Sequence, residues 1–235
     1  GDVHRARDEV RVAAVRGAMM KMDSDDAPQF GERSFFEYHL YTLKRPATLL
    51  ERQTKQIEMA SAADVPLKKL YLYEGAQRFG PGDYSEHTRS HPGYGARGQN
   101  KVRVMLEFKN SKDNNMGMPL PKGRVRVYKK DADGSLTFIG EDSIDHTPKD
   151  EKVRIELGAA FDVVGERKRT EFKTDGKARW AQESFELKLR SHKDADVVVA
   201  VVERLYRWSS WKIIEASQKW EKKDAQSVEF QVPVK

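Results

Sequence analysis

The chain has no cysteine among its 235 residues, which excludes disulfides, thiol catalysis and cysteine-ligated zinc. It also lacks a long hydrophobic run, because the longest purely aliphatic stretch, Val197–Val202, is far shorter than a membrane-spanning helix. The opening residues, GDVHRARDEV, carry charge and no apolar segment, so they are not expected to be a signal peptide. We therefore expect no transmembrane segment in this sequence.

The basic and acidic residues of the chain are not separated into distinct segments. Charged residues make up 34% of the sequence and the net charge is +6, with Lys and Arg interleaved with Asp and Glu. A nucleic-acid-binding protein usually concentrates its basic residues on one element or face. The composition therefore favours a solvated surface of mixed charge, and we expect no nucleic-acid partner.

Recognisable catalytic and cofactor-binding motifs are also missing. The glycine-containing stretches GPGDY and GYGARG do not precede a helical pattern, so neither is a phosphate-binding loop. Asp145, His146 and Thr147 have no neighbouring serine motif, and Pro148 follows them, so a turn is favoured over acid–base catalysis. We expect no enzyme activity, no cofactor and no metal.

Alternating apolar and polar residues dominate the chain after residue 33. Examples are Lys101–Lys109, Gly123–Lys130 and Val228–Val234, and Asp131–Gly134 is a predicted hairpin turn. Asp196–Leu205 is apolar on both faces at its centre, which predicts an interior strand. Further predicted strands are Lys55–Val65, Leu67–Tyr73, Val153–Leu157 and Phe161–Phe172, the last with polar residues facing outward. Strands with one apolar face need a second layer to cover it. The pattern predicts an all-β fold, an antiparallel β-sandwich that is immunoglobulin-like or a larger two-sheet sandwich, over residues 34–235, with a possible subdivision near residue 110.

The first 33 residues differ from the rest. Val12, Val15, Met19 and Met22 fall at helical spacing, and an acidic, proline-containing stretch follows them. Residues 1–33 are therefore predicted to form an N-terminal arm, which is either a short helix or a linker.

The long irregular stretch Glu74–Asn100 is the place where we expect a binding site. It has six glycines, two prolines and no apolar periodicity, and loops of this length in compact domains are functional or mobile. Aromatic and arginine side chains in glycine-rich loops are typical of binding surfaces. The predicted binding residues are Tyr84, His87, Arg89, His91, Tyr94 and Arg97. A metal site at His87 and His91 is disfavoured, because their four-residue spacing suits a helix and this stretch is a predicted loop.

Two tryptophans near the end of the chain allow two interpretations. Trp208 and Trp211 flank two serines, and the pair is interpreted either as a sugar-stacking platform or as the closing layer of a core. The core interpretation is favoured, because indole rings more often complete a hydrophobic core.

Several segments, among them PLPKGRVRVYK, DHTPKDE and GAAFDV, resemble the bacterial family known as domain of unknown function 4139. The upstream FFEYHLYTLKRPATLLERQTKQIE and the downstream WKIIEASQKWEKKDAQSVEFQVPV are similar to it too, so the resemblance spans Ser34 to Val234. It implies an exported or envelope-associated bacterial protein, periplasmic or secreted, similar to the mucoidy-inhibitor proteins. Members of the family usually have a longer N-terminal region with a signal sequence, and they continue by one more strand at the C-terminus.

No catalytic residue can be carried over from this family, because none is established in it. The resemblance and the missing motifs together predict a non-catalytic module that binds or assembles with an envelope protein or a glycan. The alternative is a polysaccharide-acting hydrolase that uses carboxylates near the glycine-rich loop. The oligomeric state cannot be read from the sequence.

Overall fold

The computed structural model describes residues 30–76, 90–175, 177, 179–208 and 210–235. Within them the regular elements are eleven β-strands and one 3-10 turn, Lys112–Asn114, so the predicted all-β class is confirmed. No helix in this part of the chain is long and apolar enough to cross a membrane. The predicted arm lies outside the described residues up to residue 29, and the first strand begins within it, at Phe30.

The strands follow one another along the chain with these bounds. They are β1 (Phe30–Phe35), β2 (Tyr38–Leu43), β3 (Lys68–Tyr73), β4 (Lys101–Lys109), β5 (Gly123–Lys130), β6 (Leu136–Ile144), β7 (Lys152–Thr174), β8 (Ala181–Ser191), β9 (Val197–Arg204), β10 (Trp220–Asp224) and β11 (Ser227–Val234).

Seven of these strands form one mixed sheet in the order β10-β11-β9-β3-β4-β7-β8. Strand β3 runs parallel to β9, with Tyr71 opposite Val199 and Tyr73 opposite Val201, so a wholly antiparallel arrangement was the wrong prediction for this pair. Alternation predicts which face of a strand is buried, but strand direction depends on which distant strands meet. The interior position predicted for Asp196–Leu205 is confirmed, because β9 lies between β11 and β3.

The chain divides into two compact units. The first comprises the chain up to Lys68 together with Glu107–Ile155, and it contains the separate hairpins β1–β2 and β5–β6. The second comprises Lys69–Leu106 and Glu156–Lys235 and contains most of the seven-stranded sheet. The domain predicted over residues 34–235, with a subdivision near residue 110, stays a prediction.

The core of the second unit is built from alternate residues of neighbouring strands, since every second side chain of a strand points to the same face. A cluster of buried apolar side chains forms its centre: Tyr71, Tyr73, Val102, Val163, Val199, Val201 and Val234. Leu187 and Leu189 of β8 and Phe230 of β11 pack against this cluster.

The first unit is organised around a buried polar residue, Asn110, whose exposed fraction is 0%. Its side-chain amide donates to the carbonyl oxygens of Met118 at 2.7 Å and Pro148 at 3.0 Å, and its Oδ1 accepts the N–H of Gly117 at 3.0 Å. A buried amide that satisfies several backbone groups fixes the connections around it.

Local predictions met different outcomes. The turn at Asp131–Gly134 is confirmed, with Gly134 at φ +88° and its N–H bonded to the carbonyl oxygen of Asp131 at 3.0 Å. The predicted strand over Lys55–Val65 is wrong, because this stretch is irregular and mostly exposed. Strand β7 continues through Gly158, where the sequence had indicated a break, and Gly158 has φ +126°, which glycine adopts without a steric penalty.

Candidate functional site

The described end of the predicted binding loop, residues 90–100, lies within the second unit. We call it the loop segment. It is surrounded by the end of β3, the middle of β7, the start of β8 and the residues that follow β9. Each of these elements contributes a side chain that bonds the loop segment or a neighbour of it.

The most deeply buried contact beneath the loop segment is an ion pair between β7 and β9. The Nε of Arg167 donates to both carboxylate oxygens of Glu203 at 3.1 and 2.9 Å, and its Nη2 donates to Oε1 at 2.6 Å. The two side chains are 0% and 6% exposed. The remaining Nη1 of Arg167 donates to the carbonyl oxygen of Gly95 at 2.8 Å, so the pair bonds the loop backbone directly.

A second buried group involves two arginines and one carboxylate. Arg207 donates through Nε and Nη2 to Glu183 at 2.8 and 3.0 Å, which is a bidentate contact, and Arg169 donates to the same carboxylate at 3.1 Å. Arg207 also donates to the carbonyl oxygens of Tyr94 at 3.0 Å and His91 at 3.2 Å. Guanidinium-to-carbonyl bonds from Arg167 and Arg207, with a longer one of 3.5 Å from Arg169 to Tyr94, therefore hold the loop segment.

Aromatic rings fill the space between these charged groups. The guanidinium of Arg167 lies 3.9 Å from the centroid of Phe185, and that of Arg207 lies 4.8 Å from the centroid of Phe172. The rings of Tyr94 and Tyr206 meet edge to face at 5.2 Å. Such contacts exclude water and strengthen the ion pairs, since both cation–π attraction and charge–charge attraction increase in a dry environment.

The glycines of the loop segment are required by close packing. Gly95 has φ +66°, and a Cβ atom there would lie 1.8 Å from Cζ of Tyr206. A Cβ at Gly98 would lie 2.5 Å from the carbonyl oxygen of Arg167. On the other side of the same core, Gly165 leaves room for the ring of Tyr73. The glycine-rich composition therefore permits tight contact between loop and sheet at these positions.

The base of the loop segment is bonded to β3. Gln99 donates its backbone N–H to the carbonyl oxygen of Gly75 at 2.9 Å and its side-chain amide to that of Glu74 at 2.6 Å. The Glu74 carboxylate in turn accepts bonds from Arg103 and Arg204. Tyr73 closes this end by donating its hydroxyl to the carbonyl oxygen of Gln99 at 2.7 Å.

Burial perturbs several titratable groups here. Burial raises the pKa of Glu203, and the hydrogen bond from Arg167 opposes that shift. Burial also raises the pKa of Tyr73 to about 12 and the pKa of Tyr206 to about 12, with the charge of Glu183 adding to the shift at Tyr206. These shifts follow from removing polar groups from water.

The structure places the predicted binding residues differently from one another. Tyr84, His87 and Arg89 lie outside the described residues. His91 and Arg97 are exposed, and the Nδ1 of His91 accepts the N–H of Gly93 at 2.9 Å. Tyr94 is only 6% exposed and packs inside the arrangement. The role of all six residues in binding stays a prediction.

The charged side chains around the loop segment bond its backbone and one another. The carboxylates near the loop segment, on the buried Glu74 and Glu203 and the partly buried Glu183, are each bonded to at least one arginine. Charge-assisted hydrogen bonds of this kind are stronger than neutral ones, so they fix the position of each carboxylate. Among the described residues, no group of three or more His, Asp or Glu side chains is arranged to hold a metal ion.

Sequence reasoning missed the arginines and glutamates that hold the loop segment. Arg167 was predicted to point outward from a long strand with polar outer residues, and it is 5% exposed. A signal was present in β9, where Glu203 follows Val199 and Val201 on the same face of an interior strand. A charge on such a face requires a buried partner.

Comparison of the chain with models of protein families gave no match. Searches against curated proteins and against solved structures also gave none. The resemblance to the family of domain of unknown function 4139 therefore stays a prediction.

Proposed function

We propose that this chain is a non-catalytic binding module of an exported bacterial envelope protein, and that the outer side of the loop segment contacts an envelope protein or a glycan. The observation that carries the proposal is the fixed backbone of residues 91–95. Guanidinium groups bond the carbonyl oxygens of His91, Tyr94 and Gly95 from below, while the side chains of His91 and Arg97 stay exposed.

A surface fixed in this way suits recognition, because a loop that is already ordered loses little conformational entropy on binding. Histidine and arginine at an exposed position supply hydrogen-bond donors, and arginine is enriched at protein interfaces. The envelope location and the membership of the family of domain of unknown function 4139 are parts of this proposal and rest on the segments quoted above.

The finer fold assignment is also a proposal. We propose that the strands form a two-sheet sandwich of immunoglobulin-like or larger type, supported by the alternation of apolar and polar residues in strands such as β4 and β11. A sandwich of this kind presents its loops at the ends of the sheets, where binding residues commonly lie.

The test uses matched double variants of the full chain. His91→Ala with Arg97→Ala removes the exposed loop side chains, and Arg190→Ala with His192→Ala removes the same residue types from another exposed position of the second unit. Cross-linking in an envelope extract and a glycan array identify what the wild type binds. We expect the loop variant to weaken that binding at least about five-fold and the control variant to leave it unchanged.

Three results would contradict the proposal. The wild type could bind nothing above background, or both double variants could weaken binding equally. Turnover of an envelope polysaccharide that is lost on replacing a loop-proximal carboxylate would instead establish the hydrolase alternative.

A further inference from the structure

A second surface of the same unit has the composition of a ligand site. It lies in the connection between β9 and β10, where Ile213–Trp220 line an open concavity of about 580 Å³. Small-ligand sites are typically concave, with aromatic walls and a few polar groups, and enclose about 300–1,000 Å³. The concavity therefore has the size of a ligand site.

Trp211 forms a fixed support for this site. Its indole N–H donates to the carbonyl oxygen of Ala225 at 2.7 Å, and the ammonium of Lys222 lies 5.4 Å from its ring centroid. Both contacts come from residues outside the concavity. Trp211 is half-buried, and the interpretation of Trp208 and Trp211 as part of a core stays a prediction.

The ring of Trp220 packs against that of Trp211 and is partly exposed to solvent. The two ring centroids are 6.2 Å apart at an interplanar angle of 64°, and Trp220 is 38% exposed. Trp220 is also the first residue of β10 and pairs with Phe230 of β11, so its backbone is fixed by the sheet. Ile214 lines the same concavity and is 69% exposed, and we call these two accessible apolar side chains the platform.

Polar side chains of several kinds border this platform. Glu215 offers acceptors, Lys219 offers donors, and Ser217 and Gln218 offer both. The residues that line the concavity include one acidic and one basic side chain, so their net charge is zero. This balance favours a neutral ligand that carries many hydroxyl groups.

We propose that Trp220 and its surroundings bind a neutral sugar chain, with one pyranose ring stacked on the indole. The C–H groups on the face of a pyranose carry slight positive charge and match the negative face of an aromatic ring, while the hydroxyls around its edge need donors and acceptors. A proline-rich segment would also stack on an indole, but it presents carbonyl oxygens and few donors, so it would leave the Glu215 carboxylate unused. The open shape suits binding along the side of a chain.

The proposal shares with the proposed function the idea that this chain binds a glycan, but the two sites have no residue in common, so either can fail alone. The full chain labelled with 5-fluorotryptophan gives a separate fluorine signal for each of its four tryptophans. The probes are cellohexaose, xylohexaose, mannohexaose and chitohexaose, with a proline decapeptide for comparison. We expect at least one hexaose to shift the Trp220 signal saturably and to leave that of Trp180 unchanged, although Trp180 is 50% exposed.

Variants then assign the site. Trp220→Ala should weaken binding of that hexaose about ten-fold or more, and Trp180→Ala should leave it unchanged. The His91→Ala, Arg97→Ala variant should also bind it normally, whatever becomes of the proposed function. The inference is overturned if no hexaose shifts the Trp220 signal at millimolar concentration, or if the proline decapeptide binds more tightly than every hexaose. It is also overturned if Trp180→Ala weakens binding as much as Trp220→Ala, or if the loop variant abolishes the binding.

Discussion

Replacing the buried Arg167–Glu203 pair tests how the loop segment is held. Glu203→Leu leaves a fully buried guanidinium without its counter-charge, and Arg167→Met leaves a buried carboxylate. Removing one partner of a buried pair costs about 3–5 kcal/mol. We expect the destabilisation by Arg167→Met to lie near the lower end of this range, because burial already raises the pKa of Glu203 and the carboxyl can become neutral.

The double variant should be much less destabilised than the two single variants added together. Two apolar side chains of similar volume leave no unpaired charge, and such replacements are often neutral or stabilising. What remains lost is the bond from Arg167 to the carbonyl oxygen of Gly95, which costs about 1.5–3 kcal/mol for a charged donor. The expected coupling energy between the two positions is therefore at least about 3 kcal/mol.

The assay combines urea unfolding with native-state hydrogen exchange at the loop amides. The free energy of unfolding gives the coupling, and exchange at the amides of Tyr94 and Ala96, which bond within the loop segment, reports its local opening. Even where the double variant regains global stability, these amides should exchange faster than in the wild type. As a control, Lys188→Met breaks an exposed pair with Glu186 and should change stability by less than about 0.5 kcal/mol. Additive single effects, or single effects below about 1 kcal/mol, would refute the reasoning.

Three further predictions follow from other contacts. Gly95→Ala should lower the free energy of unfolding by about 2–4 kcal/mol, because it combines a positive φ with a clash against Tyr206. As a control, Gly31→Ala should cost less than about 1 kcal/mol, because no atom lies within 4 Å of its new Cβ. Urea unfolding of both variants checks this. Asn110→Ala should cost about 2–4 kcal/mol in the same assay, and an Asn110→Asp variant that is equally stable would contradict the role of its amide N–H groups. Burial favours the neutral hydroxyl of Tyr73 and raises its pKa to about 12, so its contribution to the free energy of unfolding is complete below pH 10 and is lost as the pH rises through about 12. The free energy of unfolding measured at pH 9 and at pH 11.5 should fall less for Tyr73→Phe than for the wild type. Equal losses would refute this.

The sequence was a good guide wherever one residue type recurs on one face of a strand. Alternation predicted the strand KKLYLY, the two apolar faces of Asp196–Leu205 predicted an interior strand, and the Asp-Gly chemistry predicted the turn before β6. These features are local, so a short window of sequence contains the information they need. The parallel direction of β3 and β9 needs a pairing between segments far apart in the chain, which no local pattern contains.

The candidate site shows the same limit. The loop segment was recognisable by its glycines, but the reason for those glycines was not. Gly95 faces Tyr206, which lies more than one hundred residues away in the sequence, and Arg207 reaches His91 across a separation of 116 residues. Charged side chains in alternating strands were interpreted as outward-facing because most of them are. Only the position of Glu203, on the same inward face of β9 as Val199 and Val201, indicated a buried partner.

The central claim is that the loop segment is an ordered surface held by the arginines beneath it. The most direct measurement is ¹⁵N relaxation of the backbone amides of residues 91–99 in the free chain. The account predicts order parameters close to those of the strands, about 0.85, for Tyr94, Ala96 and Gln99, whose N–H groups are bonded. Order parameters below about 0.6 at these amides would contradict it, because a loop that moves so freely is not held by the bonds described.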